Sequence, residues 1–350
     1  MTAMTRPAPA ELGFRMPAEW APHQATWISW PHNPETWPGV LGAAEAAMVR
    51  AVQALAGGEI VRINVLDAAH EAHVRGLLGP VAATPAVVFH HFPTNDAWCR
   101  DHGATFVQDA AGRLAAVDCG FNAWGGKYPP WDLDDAIPAQ MAAALGLPRF
   151  AGGMILEGGS IDVNGAGAVL TTEQCLLNDN RNPELSRADI EERLGLLLGV
   201  SQVLWLGDGI IGDDTDGHID DITRFVAEDT VVTVVEPDRS DPNHAPLAEN
   251  LARLRGMRLA DGRPLQIIEL PMPAPVELDG ARLPASYGNF YVGNDVVVLP
   301  AFDQPGDAEA AGILARCFPG RRIVPIRANE LVVGLGAFHC LTQQVPAGGR

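Results

Sequence analysis

Residues 212–221 read Gly-Asp-Asp-Thr-Asp-Gly-His-Ile-Asp-Asp, which places five carboxylates around a single histidine, His218. The intervals from Asp96 to Glu157 and from Glu157 to His218 are equal, at about 60 residues each, which indicates a repeated unit. The interval from His218 to Cys340 is twice as long. About five units of this length fit into the chain, and a radial array with one loop per unit directed at a common centre would bring these four side chains together. Coincidence among selected residues is the alternative explanation of the spacing.

Strand-like and helix-like segments alternate along the whole chain. Short apolar runs between turn residues predict strands, and amphipathic stretches predict helices. The alternation is typical of an α/β or α+β fold built from small repeated units. The predicted strands are Ile60–Val65, Val87–His90, Val203–Leu206, Thr230–Val235, Leu265–Leu270 and Val296–Leu299. The predicted helices are Ala43–Leu55, Ser186–Leu198 with Ser186 as its N-cap and Asp189 three residues later, Leu247–Leu254 and Asp307–Cys317, and a hairpin turn is predicted at Gly293-Asn294-Asp295.

The composition restricts the class of protein. Apolar residues make up 47% of the 350 residues and charged residues 19%, which is typical of a folded chain with a large core. Asp and Glu outnumber Lys and Arg by 43 to 24, and a net charge of −19 argues against a nucleic-acid partner. We find neither a signal-peptide pattern nor the roughly 20 consecutive apolar residues of a membrane span. Five cysteines without a CxxC pattern favour a cytoplasmic protein with reduced thiols, and a homo-oligomer stays open.

Cys340 is a candidate nucleophile in the segment Gly-Leu-Gly-Ala-Phe-His-Cys at 334–340. Glycine lets a backbone approach a ligand closely, so Gly336 is a candidate substrate contact and a thiol beside it is well placed for attack. A buried structural cysteine is the alternative, since that is the commoner role of an isolated cysteine. Structural roles are expected for the cysteines in apolar surroundings, which are Cys99, Cys119, Cys175 and Cys317.

His218 is a candidate general acid, because crowded carboxylates raise the pKa of an imidazole. In a strand-like segment His218 and Asp220 would point to the same face, so that one could transfer protons while the other binds a cationic substrate. A calcium loop with Gly217 at its sixth position would have Gly212 and Thr223 where ligating acids belong, which disfavours it. A solvated acidic turn is a further alternative.

Two other acidic segments offer side chains to the same site. Glu157 precedes a pair of glycines and could orient His218 as the third member of a Cys–His–acid set, or it could be an exposed turn acid. In the segment Asn-Asp-Ala-Trp-Cys-Arg-Asp at 95–101, an ion pair between Arg100 and Asp101 would leave Asp96 free for a ligand. Aromatic clusters around Trp30, Trp124 and Tyr287 could each wall a pocket or pack in the core.

Six segments together resemble the agmatine deiminase and bacterial-type peptidylarginine deiminase family. They are NDAWCRDHGATFV, FNAWGGKYPPWDLDD, ILEGGSIDVNGAGAVLTTEQCLLNDNRNP, DDTDGHIDDITRFV, ASYGNFYVGN and HCLTQQVPA, in the family's order from about residue 20 to 346. The resemblance implies the pentein fold, an α/β propeller of five ββαβ-type units around a pseudo-fivefold axis with a central active site. It also implies one catalytic domain over 1–350, with a flexible N-terminus at 1–15.

The resemblance assigns roles to individual residues. It implies Cys340 as nucleophile, His218 as the proton-transferring residue, Glu157 as its acidic partner, and Asp96 and Asp220 as the carboxylates that bind a guanidinium. The same motifs suggest further substrate contacts at Trp98, Trp124, Lys127 and Gly336. No metal and no cofactor is required. This chain has Asp216 where typical agmatine deiminases have Asn, and a segment before Cys340 that is poorer in glycine.

The predicted reaction is hydrolysis of agmatine to N-carbamoylputrescine and ammonia through a covalent Cys thiouronium, a step of putrescine biosynthesis. Deimination of peptidyl arginine or of another small guanidine is the alternative within the class. Outside it stand a metal-dependent hydrolase or calcium-binding module on Asp213–Asp221, and an inactive polyamine-binding protein. The acidic motifs favour agmatine over arginine, because binding the α-carboxylate of arginine would require a basic residue in the pocket. Lys127 is the candidate for that role.

Overall fold

The computed structural model describes residues 7–349. In chain order, strands β1–β18 are His23–Ser29, Ile60–Val65, Val87–His91, Thr105–Gln108, Leu114–Gly120, Arg149–Ile155, Asp162–Val163, Ala168–Thr172, Gln202–Leu206, Thr223–Ala227, Thr230–Val235, Gln266–Pro271, Glu277–Leu278, Ala281–Arg282, Tyr291–Val292, Val296–Ala301, Arg322–Arg327 and Thr342–Pro346. The longer helices α1–α6 are Leu41–Leu55, Ala68–Leu78, Ile137–Leu145, Arg187–Leu198, His244–Gly256 and Gly306–Cys317. Single helical turns occur at Cys99–His102, Ala123–Gly126, Asp132–Asp135 and Glu173–Leu176, and 3₁₀ turns at Ala10–Leu12, Gly79–Ala83, Gly158–Ser160, Ile219–Asp221 and Val332–Gly334.

Small sheets with the same connectivity follow one another along residues 7–349. In the sheets β4-β5-β6, β7-β8-β9, β10-β11-β12 and β15-β16-β17, the first two strands are antiparallel and the last two are parallel. One helix, from α3 to α6 in order, connects each parallel pair. In the sheet β18-β1-β2-β3, the C-terminal strand pairs antiparallel with β1, which is parallel to β2. The chain is therefore α/β, and its first and last strands in the described part pair in one sheet.

Local sequence accounts for the elements that were predicted. Ser186 and Asp189 form a reciprocal capping box at the start of α4, and the helix ends at Gly199, whose φ of 68° is left-handed. The predicted hairpin is confirmed, because Tyr291 and Val292 pair antiparallel with Val298 and Val297. The other predicted strands and helices are confirmed with ends that differ by a few residues.

Residues 14 and 15, within the segment expected to be flexible, contact the rest of the chain, while residues 1–6 lie outside the described part. Phe14 is buried in an apolar cluster beneath α4. The backbones of Arg15 and Gln108 exchange two hydrogen bonds of 2.9 and 2.8 Å at the end of β4. Burial of the aromatic side chain stabilises this segment by about 1.5–3 kcal/mol, and the paired amides fix its course.

The interior has both apolar and polar parts. Apolar clusters fill the space between each sheet and its helix, and the largest includes Trp30, Trp37 and Phe290. Charged side chains are buried as well, among them Glu157, Asp220 and Arg224. Burying charge is costly unless each group is paired, so these residues mark a site with its own chemistry. Within residues 7–349, no helix combines the length and apolar character needed to cross a bilayer.

Candidate active site

The candidate functional side chains lie on loops that occupy one position in the sheet pattern. Each loop leads into the first strand of an antiparallel pair, and the start of that strand fixes the position of the loop's side chains. The loops carry Asp96 and Asp101 before β4, Glu157 before β7, His218 and Asp220 before β10, Asn289 before β15, and Cys340 before β18. The repeated interval between the predicted site residues therefore reflects the length of one sheet-and-helix unit.

Cys340 lines a cavity of about 840 Å³. The Asn289 amide donates to its Sγ at 3.0 Å, and the thiol faces Asp220 Oδ2 at 3.6 Å. Burial, followed by the charges of Asp220 and Asp221, raises the pKa of this thiol well above its ordinary value. The thiol is therefore protonated in the free protein, and a cation bound beside it would favour the thiolate.

His218 is fully buried between carboxylates. Its Nδ1 lies 3.7 Å from Asp101 Oδ1 and 4.0 Å from Asp220 Oδ1. Burial lowers the pKa of His218. The charge of Asp101 and the contacts with Cys175 and Asp220 raise this pKa by more, so the net pKa lies well above the ordinary value. Neither ring nitrogen has a hydrogen-bond partner among residues 7–349. The imidazolium can therefore give a proton to a bound ligand.

Glu157 is beside His218 but is hydrogen-bonded to a different residue. Arg181 Nε donates to Glu157 Oε1 at 2.6 Å, and both side chains are fully buried. The polar atoms of Glu157, His218 and Cys175 lie within 4.8 Å of one another, and Oε2 of Glu157 has no hydrogen-bond partner in the described chain. Glu157 and His218 share no hydrogen bond within residues 7–349, so direct orientation of the ring by Glu157 stays a prediction.

Asp96 lies on the cavity wall together with Cys340. Its carboxylate accepts from the Thr36 hydroxyl at 2.5 Å and from the Ala97 amide at 2.7 Å. Burial raises the pKa of Asp96 above its ordinary value. The amides of Asn95 and Asp96 donate to Asp134 Oδ1 at 2.7 and 3.3 Å, which fixes the loop that carries Asp96.

Of the four remaining predicted substrate contacts, three line the cavity and one is buried behind its wall. Trp98, Trp124 and Lys127 line the cavity. Gly336 is buried instead, and a Cβ at this position would lie 2.5 Å from the Trp98 ring and 3.1 Å from Cys340 Cβ. Its lack of a side chain therefore lets the indole and the thiol-bearing loop approach each other.

The two basic residues singled out in the sequence are already paired. Lys127 Nζ donates to Asp216 Oδ1 at 2.8 Å and to the Asp214 carbonyl. The predicted ion pair between Arg100 and Asp101 is wrong, because Arg100 donates to Gln344 at 2.6 Å. Asp101 accepts instead from the Trp124 indole at 3.0 Å and the Gly159 amide at 2.9 Å, on the side that faces His218.

The segment around His218 is a tight turn and not a strand as expected. A 3₁₀ turn spans Ile219–Asp221, directly after His218. The Asp213 carboxylate accepts from the amides of Thr215, Gly217 and His218 at 2.8, 3.1 and 3.0 Å, and these bonds wind the chain. Asp213 accepts from amides and Asp216 accepts from Lys127 and Arg181, so neither is a free calcium ligand, which argues against the calcium-binding alternative.

Within residues 7–349, two groups of three buried side chains have donor atoms close enough for a metal ion. They are Glu157, Cys175 and His218, and Asp220, Asp221 and Cys340. Both sets use side chains that the sequence already assigned to acid–base or nucleophilic roles. A metal ion bound by either set would occupy the same side chains and compete with these roles. We therefore assign no metal to either group.

Four residues of the site escaped the sequence reasoning. Asp101 was assigned to Arg100, and Asn289 lies further beyond His218 than the repeated interval predicts. Its position between aromatic residues at 287–291 was the available signal, since a polar residue in such a segment needs a partner. Arg181, which pairs with Glu157, carries no local signal because its partner is distant in sequence. The same holds for Glu19, whose carboxylate contacts His339 beside Cys340.

Comparison with known proteins places the chain in a family. A family model of Porphyromonas-type peptidyl-arginine deiminases matches residues 15–346. The chain belongs to this family. It is 39% identical to an agmatine deiminase of Ectopseudomonas mendocina over 99% of each chain, and 40% identical to one of Pseudomonas putida over 97% of each.

Solved structures agree with this membership of the peptidyl-arginine deiminase family. An agmatine deiminase of Enterococcus faecalis has a TM-score of 0.92 at 33% identity, over 99% of this chain and 100% of that one. An amidinotransferase of Microseira wollei has a TM-score of 0.55 at 11% identity, over 97% and 98%, and shows the fold alone. The α/β pentein fold is thus shared with amidinotransferases.

Proposed function

We propose that this family member is an agmatine deiminase, which hydrolyses agmatine to N-carbamoylputrescine and ammonia. The observation that carries the proposal is a cavity whose wall joins the Cys340 thiol to a set of carboxylates. The lining includes Asp96, Asp101 and Asp214, while Lys127 is paired with Asp216. Such a cavity attracts a small cation and presents its carbon to a sulfur nucleophile.

Asp96 and Asp220 bind the guanidinium in this proposal. Asp220 Oδ1 is buried and has no hydrogen-bond partner within residues 7–349, while Oδ2 faces the thiol. Charge-assisted N–H to carboxylate bonds fix the orientation of a planar cation, and holding its carbon near the sulfur lowers the entropic part of the barrier. Arrival of the cation also compensates the charges that raise the Cys340 thiol pKa, so the thiol proton is released to solvent.

The first chemical step forms a carbon–sulfur bond. The Cys340 thiolate adds to the guanidinium carbon and gives a neutral tetrahedral adduct. His218 then donates its proton to one NH₂ group, the carbon–nitrogen bond breaks, and ammonia leaves. An S-alkylthiouronium cation stays on Cys340, and His218 is now neutral beside Asp101.

The second step hydrolyses this covalent species. Neutral His218 takes a proton from water, and the hydroxide adds to the thiouronium carbon. Collapse breaks the carbon–sulfur bond and releases the ureido product, and the remaining hydroxyl proton restores the thiol. Glu157 lies beside the imidazole at both steps, and Arg181 holds its carboxylate in place.

The far end of the cavity favours an ammonium over a carboxylate. Asp214 accepts from the Tyr128 hydroxyl on the wall, and Glu35 also lines the cavity. Arginine would bring its α-carboxylate to this acidic wall, where Lys127 already has an acidic partner. We therefore expect agmatine to exceed free arginine at least about tenfold in kcat/KM, about 1.4 kcal/mol of discrimination.

We also propose that the sheets are arranged as five ββαβ-type units around a pseudo-fivefold axis, in a single catalytic domain that spans the family match. The recurrent strand order and the pairing of β18 with β1 support this arrangement. The five loops that supply the site each enter the same strand of their sheet, as a radial arrangement requires.

A substrate panel tests the proposed function. Agmatine, free arginine, an internal-Arg peptide and a C-terminal-Arg peptide are scored for ammonia and ureido product. Agmatine should be the best substrate, Cys340→Ala should abolish turnover, and Cys99→Ala should serve as the active thiol control. A better rate with free or peptidyl arginine would refute the agmatine assignment, and Lys127→Met would then show whether Lys127 reads the carboxylate.

A further inference from the structure

His339, which directly precedes the nucleophile, lies between two carboxylates. Its Nδ1 is 2.7 Å from Asp220 Oδ2, and its Nε2 is 2.7 Å from Glu19 Oε2. The imidazole is buried, and Glu19 lies 320 residues away in sequence. The ring therefore joins the N-terminal segment of the chain to the carboxylate beside Cys340.

The surroundings of Glu19 and Asp220, the two carboxylates that contact His339, favour the ionised form of each. Burial raises the pKa of Glu19, but Arg224 and His339 lower it more, to well below the ordinary value. Burial likewise raises the pKa of Asp220, while hydrogen bonding and charge from His339 lower it below the ordinary value. A carboxylate oxygen accepts hydrogen bonds, and each ring nitrogen of His339 faces one such oxygen.

Glu19 is held rigidly on its other side. Arg224 Nη2 donates to Glu19 Oε2 at 2.7 Å, and the Val292 amide donates to Oε1 at 2.8 Å. Arg224 is itself fixed by Asp162, at 2.5 Å. The Glu19 carboxylate is therefore an anchor for the His339 ring and not a mobile partner.

We propose that His339 is a positioning residue, which fixes the carboxylate of Asp220 so that its free Oδ1 faces the substrate guanidinium. The inference rests on the proposed function, because it gives Asp220 the substrate cation as its second partner. A hydrogen bond to Oδ2 stops the carboxylate from rotating, and the anchor through Glu19 sets the direction of that bond. His339 itself takes no part in bond making or breaking.

Two substitutions separate the two ends of the ring. In His339→Asn the side-chain amide takes the place of Nδ1 and can still donate to Asp220, but it does not reach Glu19. In His339→Gln the amide takes the place of Nε2 and can donate to Glu19, while the contact with Asp220 is lost. Each variant is combined with Cys340→Ala, and agmatine binding is measured by calorimetry after folding is checked by circular dichroism.

The Asn variant should bind agmatine within about threefold of the Cys340→Ala parent, and the Gln variant at least about tenfold more weakly. With Cys340 intact, the Gln variant should raise KM more than it lowers kcat. Equal losses in both variants, or no loss in the Gln variant, would overturn the inference. A parent that binds no agmatine would instead refute the proposed function.

The unsubstituted histidine gives a measurement that does not depend on whether either variant folds. In the Cys340→Ala parent labelled with ¹⁵N-histidine, NMR should show protons on both ring nitrogens of His339. A neutral ring with a single proton would overturn the inference.

Discussion

Gly159→Ala perturbs the acid–base centre without changing any charged group. An alanine Cβ at this position would lie 2.5 Å from His218 Nδ1, 2.8 Å from Asp101 Oδ1 and 3.1 Å from Asp220 Oδ2. Ordinary contacts between such atoms are about 3.5 Å, so the imidazole must retreat by about 1 Å. The backbone of Gly159 is not left-handed, so alanine itself adds no strain there.

The expected loss of activity follows from this displacement. A misplacement of about 1 Å at a reacting group can cost about 10²-fold in rate, and overpacking costs about 1–3 kcal/mol in stability. We therefore expect kcat for agmatine to fall about 10²-fold, while the protein stays folded. Ammonia release gives the rate, and urea unfolding gives the stability.

A matched glycine variant controls for the substitution. Gly76→Ala lies in α2, where a Cβ meets no atom within 4 Å, and alanine favours a helix. It should keep full activity and unfold at equal or higher urea concentration. If Gly159→Ala kept kcat within about twofold of the unsubstituted protein, the assigned position of His218 at the reacting centre would be refuted.

Three further predictions use other parts of the site. Arg181→Met should lower the free energy of unfolding in urea by about 3–5 kcal/mol, because Glu157 loses its buried ion-pair partner. Adding Glu157→Gln to this variant should restore part of that free energy. An unchanged urea midpoint in Arg181→Met would contradict the prediction. Burial raises the pKa of Asp134 to about 8, so between pH 4 and 8 the folded form keeps a proton that the unfolded chain releases. The unsubstituted protein should therefore lose thermal stability relative to Asp134→Asn as pH rises from 5 to 8.5, and a constant difference in Tm would count against the assignment. Chloroacetamidine should alkylate Cys340 at least about tenfold faster than neutral chloroacetamide, because carboxylates attract the cationic reagent. Peptide maps should show Cys99 unlabelled, since burial raises the pKa of its thiol to about 12. Equal alkylation rates for the two reagents would contradict a carboxylate-rich site.

The spacing of chemistry-bearing residues predicted more of the site than any single motif did. Asp96 and Cys340 line one cavity, and His218 and Glu157 lie close together. The regular spacing of Asp96, Glu157 and His218 follows from the similar lengths of the units that begin with β4 and β7. It misses Asn289, because the β13–β14 hairpin lengthens the chain before β15 and the following unit is shorter.

Partners of the buried charges could not be found from sequence. Glu157 pairs with Arg181 and His339 with Glu19, at separations of 24 and 320 residues. Such pairs depend on how the sheets pack, and the sequence around a single Glu or Arg does not predict its partner. The strand assigned to His218 and Asp220 failed for a local reason, since Asp213 accepts three amides and winds the segment into a turn.

The central claim is that Cys340 forms a covalent thiouronium with agmatine. The direct measurement is acid quenching of His218→Gln after mixing with agmatine, followed by intact-mass and peptide mass spectrometry. The slowed breakdown of the intermediate should give an amidino adduct of agmatine on the Cys340 peptide, which is absent in Cys340→Ala. An adduct on another residue, or turnover of agmatine by Cys340→Ala, would contradict the account.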